Sequence, residues 1–327
     1  MENILQITID MELSGRMTQL PDSQKIFGAL MYYFAECNSP QWVEEFVNWV
    51  KSGEGYVTVS DMLPQHYFPV PQAYLAEQIG WMESSKQIYK EIKKRQFVTK
   101  AKLEEIINEP SKAGDIYPYI RIVDSQKVHA AIESFRYDLP GLDPNVYSIP
   151  ESYALEVVEK SCEDRPCPIK RFQFYMTIKK GDRSKALLDA LYAALTSKRL
   201  FFLGPRASQG LNIFCVKDIK LEECKDEWKQ GFCLNMGMLL PDRINIQKSY
   251  IKLFTSQRRP YNRDDGWDKN EVKKFISFIQ SGSIVWISEG RRNTGRCITS
   301  PFDEKAIVFG NAYLLPISVK EAFNEKI

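Results

Sequence analysis

Residues 171–219 decide the fold, and they begin with the run Arg171-Phe172-Gln173-Phe174-Tyr175-Met176-Thr177-Ile178. Its apolar side chains fall on every second position, which is the pattern of a half-buried β-strand. Asp182 then precedes a stretch ending near Thr196 whose leucines recur at helical spacing, so a helix capped by Asp182 is predicted. After a glycine-containing loop, residues 212–219 are predicted to form a strand. This part of the chain therefore predicts a strand–helix–strand unit.

The N-terminal part repeats the same order of elements. Residues 5–10 alternate as a strand, and Asp22 or Ser23 can cap a helix that runs to about Glu36. Ser39 followed by Pro40 predicts the start of a second helix, because a hydroxyl caps well and proline suits the first helical position. With a further strand at 56–61, the order predicts an α+β, ferredoxin-like module.

A long irregular stretch and a second set of elements follow from the same analysis. Prolines and glycines crowd the region from Pro110 to Pro168, which is too long for a plain loop and predicts an insertion over about 112–168 with some structure of its own. Strands are predicted at 232–240, 249–254, 284–287 and 312–317, and a helix at 269–280. We expect two ferredoxin-like (RRM-like) modules, at 1–222 with the insertion and at 223–327, the second one degenerate.

Charge is distributed unevenly along the 327 residues. The whole chain has 44 Lys and Arg against 42 Asp and Glu, a net charge of +2. Residues 1–165 nevertheless carry a net charge of −9, and residues 166–327 carry +11, of which +8 lies in residues 166–220. A basic surface suits a polyanion such as RNA, since neutralised phosphates release condensed counterions. Scattered, solvated Lys and Arg side chains explain the same count equally well.

Several classes of protein are disfavoured by what the sequence lacks. No apolar run reaches the ~18 residues of a membrane span, and the first residues do not resemble a secretion signal, so a cytoplasmic location is expected. The seven Cys form no Cys-x-x-Cys pair and have no neighbouring His. Walker A, dinucleotide, Gly-x-Ser-x-Gly and His-Glu-x-x-His motifs are missing. We therefore predict no catalytic residue, no metal and no cofactor.

The loop between the predicted helix and the last strand of the first module is the main candidate site. Glycines allow close approach of a ligand to the backbone, exposed amides can hold phosphate, and an arginine adds a permanent charge. An ordinary helix-to-strand turn has the same composition, so both interpretations stay open. The loop consists of Gly204, Pro205, Arg206, Ala207, Ser208, Gln209 and Gly210.

Further candidate RNA-binding residues lie in other polar or basic segments. A lone histidine can act as a general base, stack on a base or cap a turn, and Arg-rich loops suit phosphates as well as solvent. Aromatic side chains in the insertion suit stacking on single-stranded RNA, although most aromatics belong to a core. The candidates are His129 and Ile132 in the insertion, Ser14 and Arg16 after the first strand, and the pairs Arg258 and Arg259, and Arg291 and Arg292.

Six segments together resemble the RAMP superfamily of CRISPR-associated proteins, in particular the subunit that caps the 5′ end of the guide RNA in type III-A (Csm) effector complexes. They occur in the family's order along the chain. The segments are Leu20-Pro21-Asp22-Ser23-Gln24-Lys25-Ile26-Phe27-Gly28-Ala29-Leu30, Val59-Ser60-Asp61-Met62-Leu63-Pro64 with Phe68-Pro69-Val70-Pro71, Val128-His129-Ala130-Ala131-Ile132-Glu133, residues 204–214, Gln280-Ser281-Gly282-Ser283-Ile284-Val285-Trp286 and Phe309-Gly310-Asn311-Ala312-Tyr313-Leu314-Leu315-Pro316-Ile317.

The resemblance has clear implications and some departures. It implies two ferredoxin-like domains with a thumb, a grip on the repeat-derived tag of the guide RNA (crRNA), and docking to the large polymerase-like subunit and to a neighbouring RAMP backbone subunit in an antiviral ribonucleoprotein. The glycine loop ends Gly-Leu-Asn where the family has Gly-x-Gly, and Ala130 stands where it has Asn. The same segments leave open membership as a sister capping subunit of a type III-B or III-D complex.

Two other hypotheses remain open at this point. Some RAMP relatives cut RNA, so a metal-independent endoribonuclease that processes CRISPR RNA, with His129 as general base, is the alternative to a non-catalytic subunit. A protein-interaction scaffold without RNA contact is the third. The leading hypothesis is the non-catalytic, crRNA-binding subunit.

Overall fold

The first strand lies at the centre of the largest sheet, and the other elements are arranged around it. The computed structural model describes residues 3–80, 85–131, 145–225, 230–256, 276–288, 294–301 and 306–319. Its helices are α1 Ser23–Cys37, α2 Pro40–Lys51, α3 Gln72–Ile79, α4 Ser85–Lys94, α5 Lys100–Asn108 and α6 Asp182–Thr196, with 3₁₀ turns at Pro110–Asp115, Lys160–Cys162 and Ala207–Gln209.

The strands are short except for five that exceed eight residues. They are β1 Asn3–Ser14, β2 Thr58–Val59, β3 Leu63–Pro64, β4 Tyr67–Pro69, β5 Phe97–Thr99, β6 Tyr119–Ala131, β7 Asn145–Val157, β8 Cys167–Pro168, β9 Arg171–Lys179, β10 Leu200–Phe202, β11 Ile213–Lys225, β12 Gly231–Asn235, β13 Ile244–Tyr250, β14 Leu253–Ser256, β15 Ile276–Ile279, β16 Ile284–Ile287, β17 Ile298–Thr299, β18 Ile307–Val308 and β19 Leu314–Pro316. The chain thus has a mixed fold of helices and sheets.

The main sheet has the order β10-β11-β1-β9-β2, and β3 also pairs with β9. All of its pairings are antiparallel, and a bulge interrupts the β1–β11 ladder between Asp10 and Met11. One face packs on the helices, because Ile9 and Met11 line the same apolar space as Leu30 of α1 and Leu191 of α6. The alternating apolar side chains that predicted β1 and β9 therefore point to the helix-covered face of the sheet, and the residues between them point to its other face.

Both predicted starts of the first two helices are confirmed. The Asp22 side chain accepts a hydrogen bond from the Lys25 amide at 2.9 Å, and the Ser39 side chain accepts one from the Trp42 amide at 3.2 Å. Proline at position 40 begins α2. These side chains satisfy amides that the first helical turn leaves without partners. The helix predicted after Asp182 also forms, although Gly181 occupies its N-cap position.

The insertion expected between Pro110 and Pro168 has structure of its own, in the form of two long strands that the sequence pattern did not identify. Strands β6 and β7 pair along 13 positions each, from Tyr119 with Val157 to Ala131 with Asn145. Together with β4, β5 and β8 they form a second sheet, of order β4-β5-β6-β7-β8. Its distal part is a two-stranded ribbon, where Pro150 is tolerated because one edge of β7 has no ladder to interrupt.

Two predictions for the last third were wrong. Residues 276–279 of the predicted helix 269–280 form strand β15, and residues 269–275 lie outside the described residues. The predicted strand 232–240 ends at Asn235, because residues 236–240 turn away to contact other elements. The sheet in this region has the order β13-β16-β12-β19, and β14–β15 and β17–β18 form two separate pairs.

The N-terminal and C-terminal parts share one core. The Val59 amide donates to the Asn311 carbonyl at 3.0 Å, and the Asp61 amide donates to the Met236 carbonyl at 2.8 Å. Met236 and Tyr313 belong to the same buried cluster as Ile7 and Phe174 of the main sheet. No helix among the described residues is both long and apolar enough to cross a membrane.

Candidate nucleic-acid interface

The loop of residues 204–210 is exposed at its tip and tightly bonded at its base. Arg206 and Gly210 have left-handed backbone conformations, with φ of 63° and 76°. The Gln209 amide donates to the Arg206 carbonyl at 3.0 Å, and the Gly210 amide donates to the Ala207 carbonyl at 2.9 Å. Within the described ranges, the amides of Arg206, Ala207 and Ser208 donate to no acceptor of the chain. Three donors therefore remain for a ligand.

Asn212 holds the base of this loop in place. It is fully buried, its φ is 58°, and its Oδ1 accepts a hydrogen bond from the Thr18 amide at 2.8 Å. Its Nδ2 donates to the Pro205 carbonyl at 2.7 Å and to the Thr18 hydroxyl at 2.9 Å. A Cβ on Gly204 would lie 2.7 Å from the Asn212 side chain, so only glycine fits there. The loop has a rigid base below an exposed tip.

The structure brings the predicted residues Ser14 and Arg16 next to this loop. Ser14 ends β1, and Gly15, with a φ of +92°, passes so close to the loop that a Cβ would lie 2.8 Å from the Gly210 carbonyl oxygen. The Asn212 amide donates to the Arg16 carbonyl at 2.8 Å. Two segments almost 200 positions apart thus form one surface.

Arg16 is already paired within the chain, and its predicted RNA contact stays a prediction. Its guanidinium binds the carboxylate of Glu151, a residue that is 2% exposed and belongs to β7. The Tyr153 hydroxyl donates to the other oxygen of Glu151 at 2.5 Å, and this hydrogen bond raises the pKa of Tyr153. Arg206, in contrast, is exposed and contacts only Gln209, at 3.5 Å, within the described part of the chain. Arg206 is therefore the cation available at this surface.

The ribbon of β6 and β7 joins the same surface through Ser152. The Ser152 amide donates to the Met17 carbonyl at 2.8 Å. Its hydroxyl lies 3.0 Å from the Thr18 carbonyl and 2.6 Å from an Asp124 carboxylate oxygen. The ribbon, the end of β1 and the loop 204–210 consequently meet around residues 14–18. Thr18, Glu151 and Asn212 were missed by the sequence analysis, because no local pattern marks contacts over such separations.

Part of the positive charge expected here is neutralised within the chain. Lys217 binds Glu12 at 2.7 Å and Lys220 binds Asp10 at 3.0 Å, and the Lys217 contact lowers the pKa of Glu12. Lys180 with Glu223, and Arg199 with Glu36, form further pairs at 2.6 and 2.5 Å. The net charge of +8 in residues 166–220 therefore overstates the free cationic surface.

The remaining candidates are only partly covered by the structure. His129 lies in β6 with Tyr147 as its register partner, and its side chain is outside the described residues. Ile132 also lies outside them, as do Arg258, Arg259, Arg291 and Arg292. Their predicted RNA contacts stay predictions.

The fold is shared with chains of solved CRISPR-associated complexes over nearly its whole length. A chain of the crystal structure of a Csm3-Csm4 subcomplex in the type III-A CRISPR-Cas interference complex superposes with a TM-score of 0.57 at 13% identity, covering 96% of this chain and 99% of that one. A chain of a Csm1-Csm4 cassette in complex with cA4 superposes with a TM-score of 0.53 at 15% identity, covering 97% and 99%.

These likenesses establish a common fold and nothing finer, because the sequences are so different. No protein-family model matches the sequence. No curated protein matches it significantly.

Proposed function

We propose that the chain is a non-catalytic, crRNA-binding subunit of a type III-A CRISPR effector complex. In this role it holds the 5′ repeat-derived tag of the guide RNA and docks on the large polymerase-like subunit and on a neighbouring RAMP backbone subunit. The observation that carries the proposal is the anchored loop 204–210, whose three amides find no acceptor among the described residues and whose Arg206 is exposed, an arrangement that suits an anion. The fold shared with chains of two type III-A structures supports the setting.

The domain organisation that we propose follows from the same family resemblance. The order β11-β1-β9-β2, with α1 and α6 on one face, supports a first ferredoxin-like module within residues 1–222. The ribbon of β6 and β7 lies in the insertion at about 112–168 and is the proposed thumb. Residues 223–327 form the proposed second, degenerate module.

The loop is tested by removing its charge and its hydroxyl. Arg206→Ala with Ser208→Ala should weaken RNA binding by the full chain uniformly across sequences, and the dependence of affinity on salt should become shallower by about one counterion. Lys185→Ala, which removes an exposed cation from α6, is the matched control and should change little. Unchanged RNA retention at raised salt in the double variant would remove this loop from the site.

The two other hypotheses have their own decisive measurements. Incubation of repeat RNA with the purified chain and with His129→Ala tests the endoribonuclease, since cleavage abolished by the substitution would favour an enzyme. The scaffold hypothesis predicts no salt-dependent RNA affinity, either for the chain alone or for its complex.

A further inference from the structure

A cavity of about 310 Å³ lies where three parts of the molecule meet. Its walls come from the entry to α1, from residues 61–63, from the end of β4 and the start of α3, and from the turn between β15 and β16. Gln96 precedes β5, strands β5 and β6 contribute Phe97 and Ile122, and Lys252 precedes β14. This volume is at the small end of ligand pockets, which suits one ring system with a little solvent. The cavity also begins close to the loop surface, because Leu20 in its wall is two residues from Thr18, the partner of Asn212.

The cavity is lined by several of the segments that resemble the RAMP superfamily but do not belong to the loop 204–210. Four stretches that carry the family resemblance contribute to its lining, at Pro21-Asp22, Asp61-Met62-Leu63, Pro69-Val70 and Gln280-Ser281-Gly282. They are far apart in the sequence and do not form one secondary-structure element. Gly282 shows how closely they meet, since its φ is +86° and a Cβ there would lie 3.0 Å from the Val70 carbonyl oxygen.

Acceptor groups occupy one part of the lining. Asp61 accepts a hydrogen bond from the Ser23 amide at its Oδ1, at 2.8 Å, and Asp22 lies beside it in the same wall. Burial, followed by the charge of Asp22, raises the pKa of Asp61 to about 7. A carboxylate that is costly to ionise gains from a ligand that presents N–H donors to it.

Donor groups occupy another part of the lining. The Gln96 Oε1 accepts a hydrogen bond from the Ile122 amide at 2.7 Å, which fixes the side-chain amide, and its Nε2 has no partner among the described residues. The Ser281 Oγ is buried and likewise has no partner in the described part of the chain. A buried hydroxyl without a partner is costly, so a ligand acceptor would relieve that cost.

Apolar side chains form a further part of the lining, which also includes Lys252 and Gln72. Met62, Val70 and Phe97 line the cavity together with these polar groups. An apolar wall suits the face of a planar ring, and the acceptors and donors suit its edge. The guanine edge has this composition, with N–H donors at N1 and N2 beside an acceptor at O6.

We propose that this cavity binds an unpaired guanine of the bound RNA, with Asp61 accepting from its N–H groups and with Ser281 and Gln96 donating to its oxygen. The inference rests on the RNA-binding function proposed above and adds base selection to it. Phosphates held at the loop 204–210 would position the strand, and the cavity would read one base. The sequence of the RNA that co-purifies with the chain would show whether this guanine belongs to the 5′ tag.

The test measures the affinity of the full chain for a short uridine-only RNA. It compares this with a series of RNAs of the same length that each carry a single guanosine at a different position. We expect one position to raise affinity about tenfold, the size of a good two-bond base contact. In Asp61→Asn and in Ser281→Ala, the affinity for this guanosine RNA should exceed that for the uridine-only RNA by no more than about twofold, because each variant loses part of the base contact. Asp61→Asn keeps an acceptor for the Ser23 amide, and Ser281→Ala removes no hydrogen bond recorded in the described chain.

The outcomes separate the cavity from the loop. Asp189→Asn, an exposed carboxylate on α6, is the matched control and should keep the wild-type ratio. An RNA affinity that does not depend on the position of the guanosine would contradict the guanine-binding proposal and would leave the proposed function unaffected. A guanosine preference that survives both Asp61→Asn and Ser281→Ala also overturns it. Absence of any salt-dependent RNA binding overturns both proposals.

Discussion

The buried side chain of Asn212 determines the position of the exposed loop 204–210. It is fully buried, yet its contacts with Pro205 and Thr18 set the position of the loop 204–210. Its left-handed backbone suits asparagine, which adopts that conformation more readily than most residues. The exposed Arg206 therefore depends on an internal anchor for its placement.

Asn212→Gly should lower both stability and RNA affinity. Glycine accepts the φ of 58°, so the substitution removes the side-chain hydrogen bonds without adding backbone strain. We expect unfolding to become easier by about 2–3 kcal/mol, since the Thr18 amide and the Pro205 carbonyl lose their partner. Thermal unfolding and RNA titration measure the two effects. Asn212→Ala should cost more, because alanine is strained at this φ. An Asn212→Gly variant with wild-type stability and RNA affinity would contradict the anchor role.

Asp61 gives the stability a predictable dependence on pH. Its pKa in the folded chain is raised to about 7, by burial first and then by Asp22, while Ser23 and Lys25 oppose the rise. Between the unfolded pKa near 4 and the folded value, the folded state binds the extra proton, so stability should fall as pH rises toward 7. We expect a loss of about 1–2 kcal/mol, less than the full shift implies because Asp61 is not fully shielded from solvent.

Asp61→Asn should flatten that profile, and chemical denaturation at several pH values would reveal it. The variant should be no less stable than the wild type at pH 8, since it lacks the carboxylate that is costly to ionise. Asp189→Asn is again the control, and its profile should follow the wild type. A wild-type chain that gains stability between pH 5 and 7 would show that other groups dominate.

At the scale of elements, Arg95 connects α4 to the segment before β6. It is 1% exposed, its Nε donates to the Ile116 carbonyl at 3.2 Å, and its Nη1 donates to the Glu91 carbonyl at 2.9 Å. The guanidinium also lies 4.7 Å from the ring centroid of Tyr119. Because the root of the ribbon lies at Tyr119, this buried cation helps to set where the ribbon begins.

Arg95→Ala should destabilise the chain by about 2–4 kcal/mol, because it leaves the carbonyl oxygens of Ile116 and Glu91 without this buried donor. Lys94→Ala, at the preceding position and the last residue of α4, is the matched control. Its exposed ammonium binds Glu91 at 2.7 Å, and its loss should cost less than about 1 kcal/mol. Denaturant titration of both variants measures the difference. Equal effects would mean that the Arg95 cluster adds nothing beyond a surface ion pair.

The elements that could be predicted from the sequence are buried on one face, whereas those that were missed are exposed on both faces or very short. Strands β1 and β9 and helices α1, α2 and α6 each have one face on the core, so their periodicity is visible in the sequence. The distal part of β6 has no such contrast, since residues 123–128 are all exposed. Strand β10 is three residues long, too short for a period to show. The site followed the same rule, because the glycine loop carries a local signal and Asn212 and Glu151 do not.

At the scale of the whole molecule, the seam between the N-terminal and C-terminal parts is unusually close. A Cβ on Gly237 would lie 2.7 Å from the Val59 carbonyl oxygen, and Asp61 bonds to Met236 one step further along. The main core cluster continues across this seam. We therefore expect the chain to unfold in a single transition.

Gly237→Ala should lower the melting temperature while keeping one transition, because the added methyl forces the two parts away from each other. We expect a loss of about 1–3 kcal/mol, which is typical of overpacking. Gly28→Ala is the control, since a Cβ there meets nothing within 4 Å, and in the interior of α1 it should stabilise by roughly 0.5–1 kcal/mol. Far-ultraviolet circular dichroism and tryptophan fluorescence should give coincident curves. Two separate transitions would contradict the shared core.

The approach of Gly15 to the Gly210 carbonyl has a consequence for anyone who wishes to retarget this protein. Main chain touches main chain at that point, so there is no side chain to exchange and no room to add one. Under the RNA-binding role proposed above, engineering toward a different RNA would begin at Asp61, Gln96 and Ser281 instead, the polar side chains of the proposed base cavity, which can still be varied.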